Sequence, residues 1–214
     1  MADKRAWEQL AQELGFEFKA GLRAYLESDA VRRMEADGSD PQMAEGLAKV
    51  RAMLDNPLVM GLLDGLFFGV VSGRHRGYET AICHGSSSSG GSRNAPSIHV
   101  SLLFNRTEKL GLLLAPETFF TRVGRTLFRT QDLPTGNAEL DKLVVVKAEE
   151  EAPVRVLLGD RRVQEALIAL FRDGAEWKVS DEGIRWRRAG DQLTADEVRR
   201  LLERMADAAQ ALGR

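Results

Sequence analysis

Residues 176–212 read EWKVSDEGIRWRRAGDQLTADEVRRLLERMADAAQAL. Glu176 to Val179 and Ile184 to Arg187 are rich in β-favouring residues and flank Asp181-Glu182-Gly183, a turn sequence, so the first half is a β-hairpin. Thr194-Ala195-Asp196-Glu197 is a capping box that satisfies backbone donors at a helix start. Val198, Leu201, Leu202, Met205, Ala209 and Leu212 then fall on one continuous apolar face. A helix with one such face needs a surface to cover, and the hairpin supplies the edge of a sheet. The spacing therefore predicts an α+β fold in which a C-terminal amphipathic helix packs on an antiparallel sheet.

Working back towards the N-terminus, Ala152 to Leu158 and Arg161 to Phe171 read as two short helices and Leu143 to Val146 as a buried strand. Leu133 to Asn137 is a turn, and Pro116 and Glu117 suit the first turn of a helix whose apolar side is Phe119, Phe120, Val123 and Leu127. Ile98 to Phe104 and Leu110 to Leu114 are expected to form one pair of strands. Leu66 to Val71 and Tyr78 to Cys83 are expected to form another, turning around Gly73 to Arg76. Gly85 to Ser97, with the run GSSSSGGSRNAPS, has nothing to bury and reads as a flexible surface loop.

Before Asn56-Pro57 the period is helical throughout. Trp7, Leu10, Ala11 and Leu14 form one stripe, Leu22, Tyr25, Leu26 and Ala30 a second, and Met43, Leu47, Val50 and Leu54 a third. The expected organisation is an N-terminal helical segment, 1–56, and an α+β core, 57–214, within what can also be one continuous domain.

Composition narrows the function classes. Of 214 residues 43% are hydrophobic and 29% charged, a globular balance, and such a chain buries roughly 70% of its unfolded surface without needing a metal or disulfide. One cysteine cannot form an internal disulfide, and no apolar signal segment opens the chain, so a cytoplasmic protein is expected. The most apolar run, Pro57 to Val71, is 15 residues long and interrupted by Asp64 and three glycines, too short to span a membrane.

Motifs for nucleotide hydrolysis, dinucleotide binding and the serine nucleophile elbow are all absent. The acidic runs Glu149-Glu150-Glu151 and Asp181-Glu182 sit in turns or helix starts rather than in an acid/base pocket. All three histidines and the cysteine, His75, Cys83, His84 and His99, lie within 25 residues, so any transition-metal or thiol chemistry is confined there. The paired spacing of structural zinc sites is missing, and adjacent strand residues such as Cys83 and His84 face opposite ways. A metal-dependent enzyme on His75, Cys83 and His99 is thus the third reading, and no cofactor is expected.

Positive charge concentrates in the middle of the chain. Between residues 71 and 130 eight basic side chains face three acidic ones, although the net charge of the whole is −2. Arg74 and Arg76 crowd a hairpin turn, and Arg122, Arg125 and Arg129 share one helical face. These five are the expected contacts for an anionic or protein partner; nucleic acid is disfavoured because aromatics do not interleave with them. The leading reading is a non-enzymatic interaction or adaptor protein, with pairing to its own copy through the first helix left open. The alternative is a carrier or sensor of an apolar, lipid-like ligand beneath Leu66 to Val71.

A resemblance accompanies these readings. Phe68-Gly69, Gly73-Arg74, Gly77-Tyr78, Gln131-Asp132, Thr135-Gly136-Asn137, Leu140-Asp141, the strand 143–147, the run 154–158 and the terminal helix form a pattern over residues 66–212. It resembles uncharacterised bacterial proteins. The resemblance implies a bacterial origin and a β-rich core closed by a C-terminal helix; it implies no activity and no catalytic residues.

Overall fold

The hairpin and the helix that open the reading both form. In the computed structural model, which describes residues 4–20, 69–87, 95–105, 109–117, 133–190 and 192–213, Glu176–Ser180 and Gly183–Ala189 are antiparallel strands with Trp177 paired to Trp186 and Val179 to Ile184. Their indoles sit 6.3 Å apart and tilted by 59°, a favourable aromatic geometry, and both are buried. The terminal helix, Ala195–Ala211, buries Val198, Leu201, Leu202, Met205, Ala209 and the following Leu212, which are the residues its period assigns inward. Each fully buried large side chain of this kind contributes roughly 1.5–3 kcal/mol relative to exposure.

The elements in chain order are α1 (Lys4–Leu14), β1 (Glu17–Lys19), β2 (Val70–His75), β3 (Tyr78–Ser87), β4 (Ala95–Leu103), β5 (Leu113–Ala115), α2 (Leu140–Leu143), β6 (Val145–Lys147), α3 (Glu151–Gly159), α4 (Arg161–Phe171), β7 (Glu176–Ser180), β8 (Gly183–Ala189) and α5 (Ala195–Ala211). The strands follow the order β1-β2-β3-β4-β8-β7-β5-β6, so α+β with an antiparallel sheet describes the fold. Two compact units share the chain. One is drawn from Met1–Arg74, Thr80–Val100 and Ala189–Ala195, the other from His75–Glu79, Ser101–Arg188 and Asp196–Arg214. The expected boundary at residue 56, the second and third helical stripes and most of the helix from Pro116 lie outside the described residues.

In the first unit, α1 buries Trp7, Leu10 and Ala11 and stops where Gly15 turns left-handed at φ +69°. Gly15 N–H donates to Gln12 at 3.1 Å and Phe16 N–H to Ala11 at 2.8 Å, the paired bonds of a Schellman stop. β1 then lies antiparallel to β2, with Phe18 opposite Val71. Gly73 and Gly69 of this region leave room for aromatic rings: a Cβ would meet the Phe16 ring at 2.3 Å and the Phe18 ring at 2.7 Å respectively. Val70 and Val71 are both buried although they point to opposite faces, so β2 is covered on both sides.

In the second unit the strand pairing departs from expectation. β4 neighbours β3 and β8, whereas β5 sits between β7 and β6, so 98–104 and 110–114 are not partners. The cause is polar and comes from residues far along the chain. The Asp181 carboxylate accepts from the backbone N–H groups of Gly111 at 2.7 Å and Leu112 at 3.3 Å, holding the start of β5 at the β7–β8 turn. The carbonyl of Leu110 accepts from Glu149 and Glu150, both at 3.0 Å, tying the same segment to the end of β6. β8 meets β4 closely: a Cβ on Gly183 would lie 2.2 Å from the Leu102 carbonyl oxygen.

Smaller corrections concern element ends. The first hairpin turns at Arg76-Gly77 rather than over 73–76, because both residues have positive φ, 49° and 87°, and so form the tight turn that matches strand twist. β3 runs on to Ser87 and β4 begins at Ala95, so only the middle of the glycine- and serine-rich stretch falls between strands. The strand read as 143–146 starts at Val145, since Leu140–Leu143 is one helical turn capped by the Asn137 side chain, which accepts from Glu139 and Leu140 N–H.

Candidate functional site

Of the five arginines expected to receive an anionic partner, Arg122, Arg125 and Arg129 lie outside the described residues. Arg74 is exposed and is engaged by other groups of the fold. Arg76 is described in full and faces its own chain. Its φ of +49° makes it the one non-glycine left-handed residue among the described residues. From that turn its guanidinium reaches the terminal helix: Nη1 pairs with Glu203 at 3.2 Å and Asp207 at 2.5 Å, and Nη2 donates to Gln210 at 2.9 Å. Glu203, Asp207 and Gln210 stand one and two turns apart on a single stripe, so one side chain clasps two turns of α5. The hydrogen bond to Asp207 is the chief cause of its raised pKa, with Glu203 adding to it and burial opposing. This exposed clasp ties the hairpin tip to α5 at a surface where screening keeps the pairing weak.

The three residues of the metal reading divide likewise. His75 Nε2 lies 3.1 Å from Glu203 Oε1, alongside Arg76, but out of line for a hydrogen bond. Cys83 is a half-buried thiol in β3. His99 Nε2 contacts the Ser97 hydroxyl at 3.0 Å, two residues away on the same side of β4, and Ser97 is buried. The side chain of His84 is outside the described residues. Among the described residues no three or more His, Cys, Asp or Glu side chains are grouped to hold a metal ion.

Two polar networks inside the second unit are complete in themselves. Thr135, which is buried, donates its hydroxyl to the exposed Asp141 carboxylate at 2.7 Å, and Asn137 donates to Gln164, which donates in turn to the Leu158 carbonyl. Asp173 accepts from the Trp177 indole at 2.8 Å, the Ala175 N–H at 3.0 Å and Arg204 at 2.8 Å. Arg204 also donates to the carbonyls of Ala169 and Leu170 and lies 5.2 Å over the Trp177 ring. Burial pushes the Asp173 carboxyl up, but the bonds from Trp177, Arg204 and Ala175 outweigh it and hold the group below its ordinary value. The first network ties the 135–137 turn to α2, α3 and α4, and the second fastens α4 and α5 to β7.

A surface that the first reading did not single out lies on the same unit. The register of β6, β5, β7 and β8 places Val146, Leu114, Val179, Trp177, Ile184 and Trp186 on one face. The opposite face carries Lys147, Lys178, Arg185 and Arg187, all half-buried, beside Leu113, Ala115 and Val145, which cluster together. Lys178 stands directly across from Arg185, and Arg187 across from Glu176, which it pairs with at 3.1 Å. Arg185 is held more loosely, 3.5 Å from Glu182. The sequence signal was available: Lys178, Arg185 and Arg187 alternate with Trp177, Ile184 and Trp186, the period of a two-faced strand. Leu113 and Ala115 are buried, at 7% and 0% exposure, so the apolar half of this face belongs to the core.

No family model matches the chain, and no curated protein does, consistent with an uncharacterised family. Among solved structures the fold is similar to that of the mycobacterial trehalose monomycolate transport factor A, TtfA, with a TM-score of 0.53 over 98% of this chain and 93% of that one. Sequence identity is 13%, so what the two share is the fold. Among the described residues no helix is long and apolar enough to cross a membrane.

Proposed function

We propose that this protein is a lipid-handling accessory factor, a non-enzymatic carrier or sensor of an amphiphilic, lipid-like ligand. The observation that carries this reading is the likeness of fold, along nearly the whole of both chains, to a protein described as a trehalose monomycolate transport factor. The inward-turned clasp of Arg76 supports it over the adaptor reading, since carboxylates of the same chain already occupy that guanidinium. No catalytic residue is assigned.

The test is native mass spectrometry of the full chain purified without detergent, with organic extraction of the same sample. A stoichiometric lipid adduct that extraction removes is the expected result. A bare polypeptide mass, together with no uptake of added short-chain lipids, refutes the proposal.

A further inference from the structure

Four ionisable side chains meet where the β2–β3 hairpin reaches α5. Glu203 and Asp207 stand four residues apart on one stripe of α5, a like-charge spacing that weakens a helix. Both pair with the guanidinium of Arg76, Glu203 through its Oε2 at 3.2 Å. The other oxygen of Glu203, Oε1, lies 3.1 Å from His75 Nε2. That nitrogen is buried and makes no hydrogen bond among the described residues. Tyr78, across the two-residue turn from His75, is buried on the same face, whereas Arg74 and Glu79 fall on the other face of the hairpin. On α5 the turn before Glu203 carries Arg200 and Arg199, the latter paired with Asp196 at 2.8 Å, and the turn after Asp207 carries Gln210, which accepts from Arg76. With His75 neutral, two carboxylates share the Arg76 cation at this junction, and a buried ring nitrogen faces an anion out of line for a hydrogen bond.

The geometry points to His75 as an acid-closed latch between the hairpin tip and α5. Histidine gains its charge as pH falls through about 6.5, a range in which glutamate and aspartate stay ionised. A proton on the ring gives Nε2 an N–H, and a small turn of the ring brings it in line with Glu203 Oε1. The junction then holds two cations against two carboxylates, and each oxygen of Glu203 has its own donor. Burial alone favours the neutral ring, but a carboxylate at contact distance opposes it. His75 keeps half the exposure of Arg76, 19% against 38%, so solvent screens its pairing less. The latch is therefore closed in mild acid and released as pH rises past the histidine range. It also releases below about pH 4, where carboxylates take up protons. It needs no ligand and is independent of the lipid-handling reading.

The experiment compares urea unfolding of the full chain in the wild type, His75→Gln, Glu203→Gln and the double variant, at about pH 5.5 and about pH 7.5, either side of the histidine range. His84 and His99 are present in all four proteins, so their titration cancels. Relative to His75→Gln, the wild-type unfolding constant is expected to fall about threefold from the higher pH to the lower, the scale of one partly exposed ion pair. Against Glu203→Gln the wild type should show the same change, since either substitution removes the pair. When Glu203 is already glutamine, adding His75→Gln should have the same effect at both pH values. A ratio of wild type to His75→Gln that is equal at both pH values overturns the inference. So does a ratio that moves the other way, which would mean that burial of the ring outweighs the carboxylate. A pH-dependent effect of His75→Gln that persists beside Glu203→Gln overturns the assignment of the partner. Should His75→Gln fail to fold, wild type against Glu203→Gln carries the test, because Glu203 keeps 54% of its exposure and its loss leaves the core untouched.

Discussion

Asp173 joins three elements, and replacing it with asparagine tests whether that junction holds the second unit together. Its Oδ1 accepts from Trp177 and Ala175, and its Oδ2 from Arg204. Asparagine keeps one acceptor for the first two donors but turns an N–H towards Arg204, so one charge-assisted bond is lost and a donor faces a donor. Such a bond is worth about 1.5–3 kcal/mol when well formed. The pair retains roughly a third of its exposure, 34% and 36%, and Arg204 keeps its two carbonyl partners. Discounting for solvent leaves about 1–2 kcal/mol. For a chain of this size that lowers the melting temperature by about 2–8 °C at neutral pH.

The pH dependence follows from the lowered pKa of Asp173. A carboxyl held below its unfolded value adds stability above the unfolded pKa and loses it as pH falls through the folded one. The deficit of Asp173→Asn against wild type should therefore be full at neutral pH and disappear in acid, once the wild-type carboxyl is protonated. Thermal melts followed by tryptophan fluorescence, run in parallel across pH, measure it. Equal melting temperatures at neutral pH, or a deficit that persists undiminished in acid, refute the reasoning.

Gly183→Ala should cost about 1–3 kcal/mol, because its Cβ would lie 2.2 Å from the Leu102 carbonyl and both contacting groups are backbone; urea unfolding reads the loss. Thr135→Val removes the hydroxyl bond to Asp141 and the acceptor for Asn137 N–H, and should cost about 1–2 kcal/mol by the same measurement. Arg76→Ala should leave global stability nearly unchanged but speed hydrogen exchange at the Arg76-Gly77 turn, since three contacts to α5 disappear from an exposed position.

The hairpin 176–187 and the helix after it were legible because each is governed by neighbours in the chain: a turn sequence, a capping box, and a period of two or 3.6. The stop of α1 at Gly15 was legible for the same reason. The placement of β5 was not, because the groups that fix it, Asp181 and Glu149, lie 70 and about 40 residues downstream of Gly111 and act through side-chain and backbone hydrogen bonds that no local pattern encodes. The arginine-rich turn was visible, but its partners on α5 are more than 120 residues away, so local charge counting could not tell an internal clasp from an open site. The cationic face shows the same division. Alternation puts Lys178, Arg185 and Arg187 on one side of a hairpin from sequence alone.

By itself, then, the sequence determined most of the described strands and helices and which side of each turns inward, though not the short β1 or the helical turn at 140–143, since the longer elements follow from backbone geometry and the spacing of apolar residues along one strand or helix. Only the tertiary structure decided which strands are neighbours, where the Arg76 guanidinium ends up, and that Lys147 joins the other cations beside Leu113, Ala115 and Val145. Those outcomes depend on contacts between residues far apart in the chain, whose energies are set by distance and burial in three dimensions.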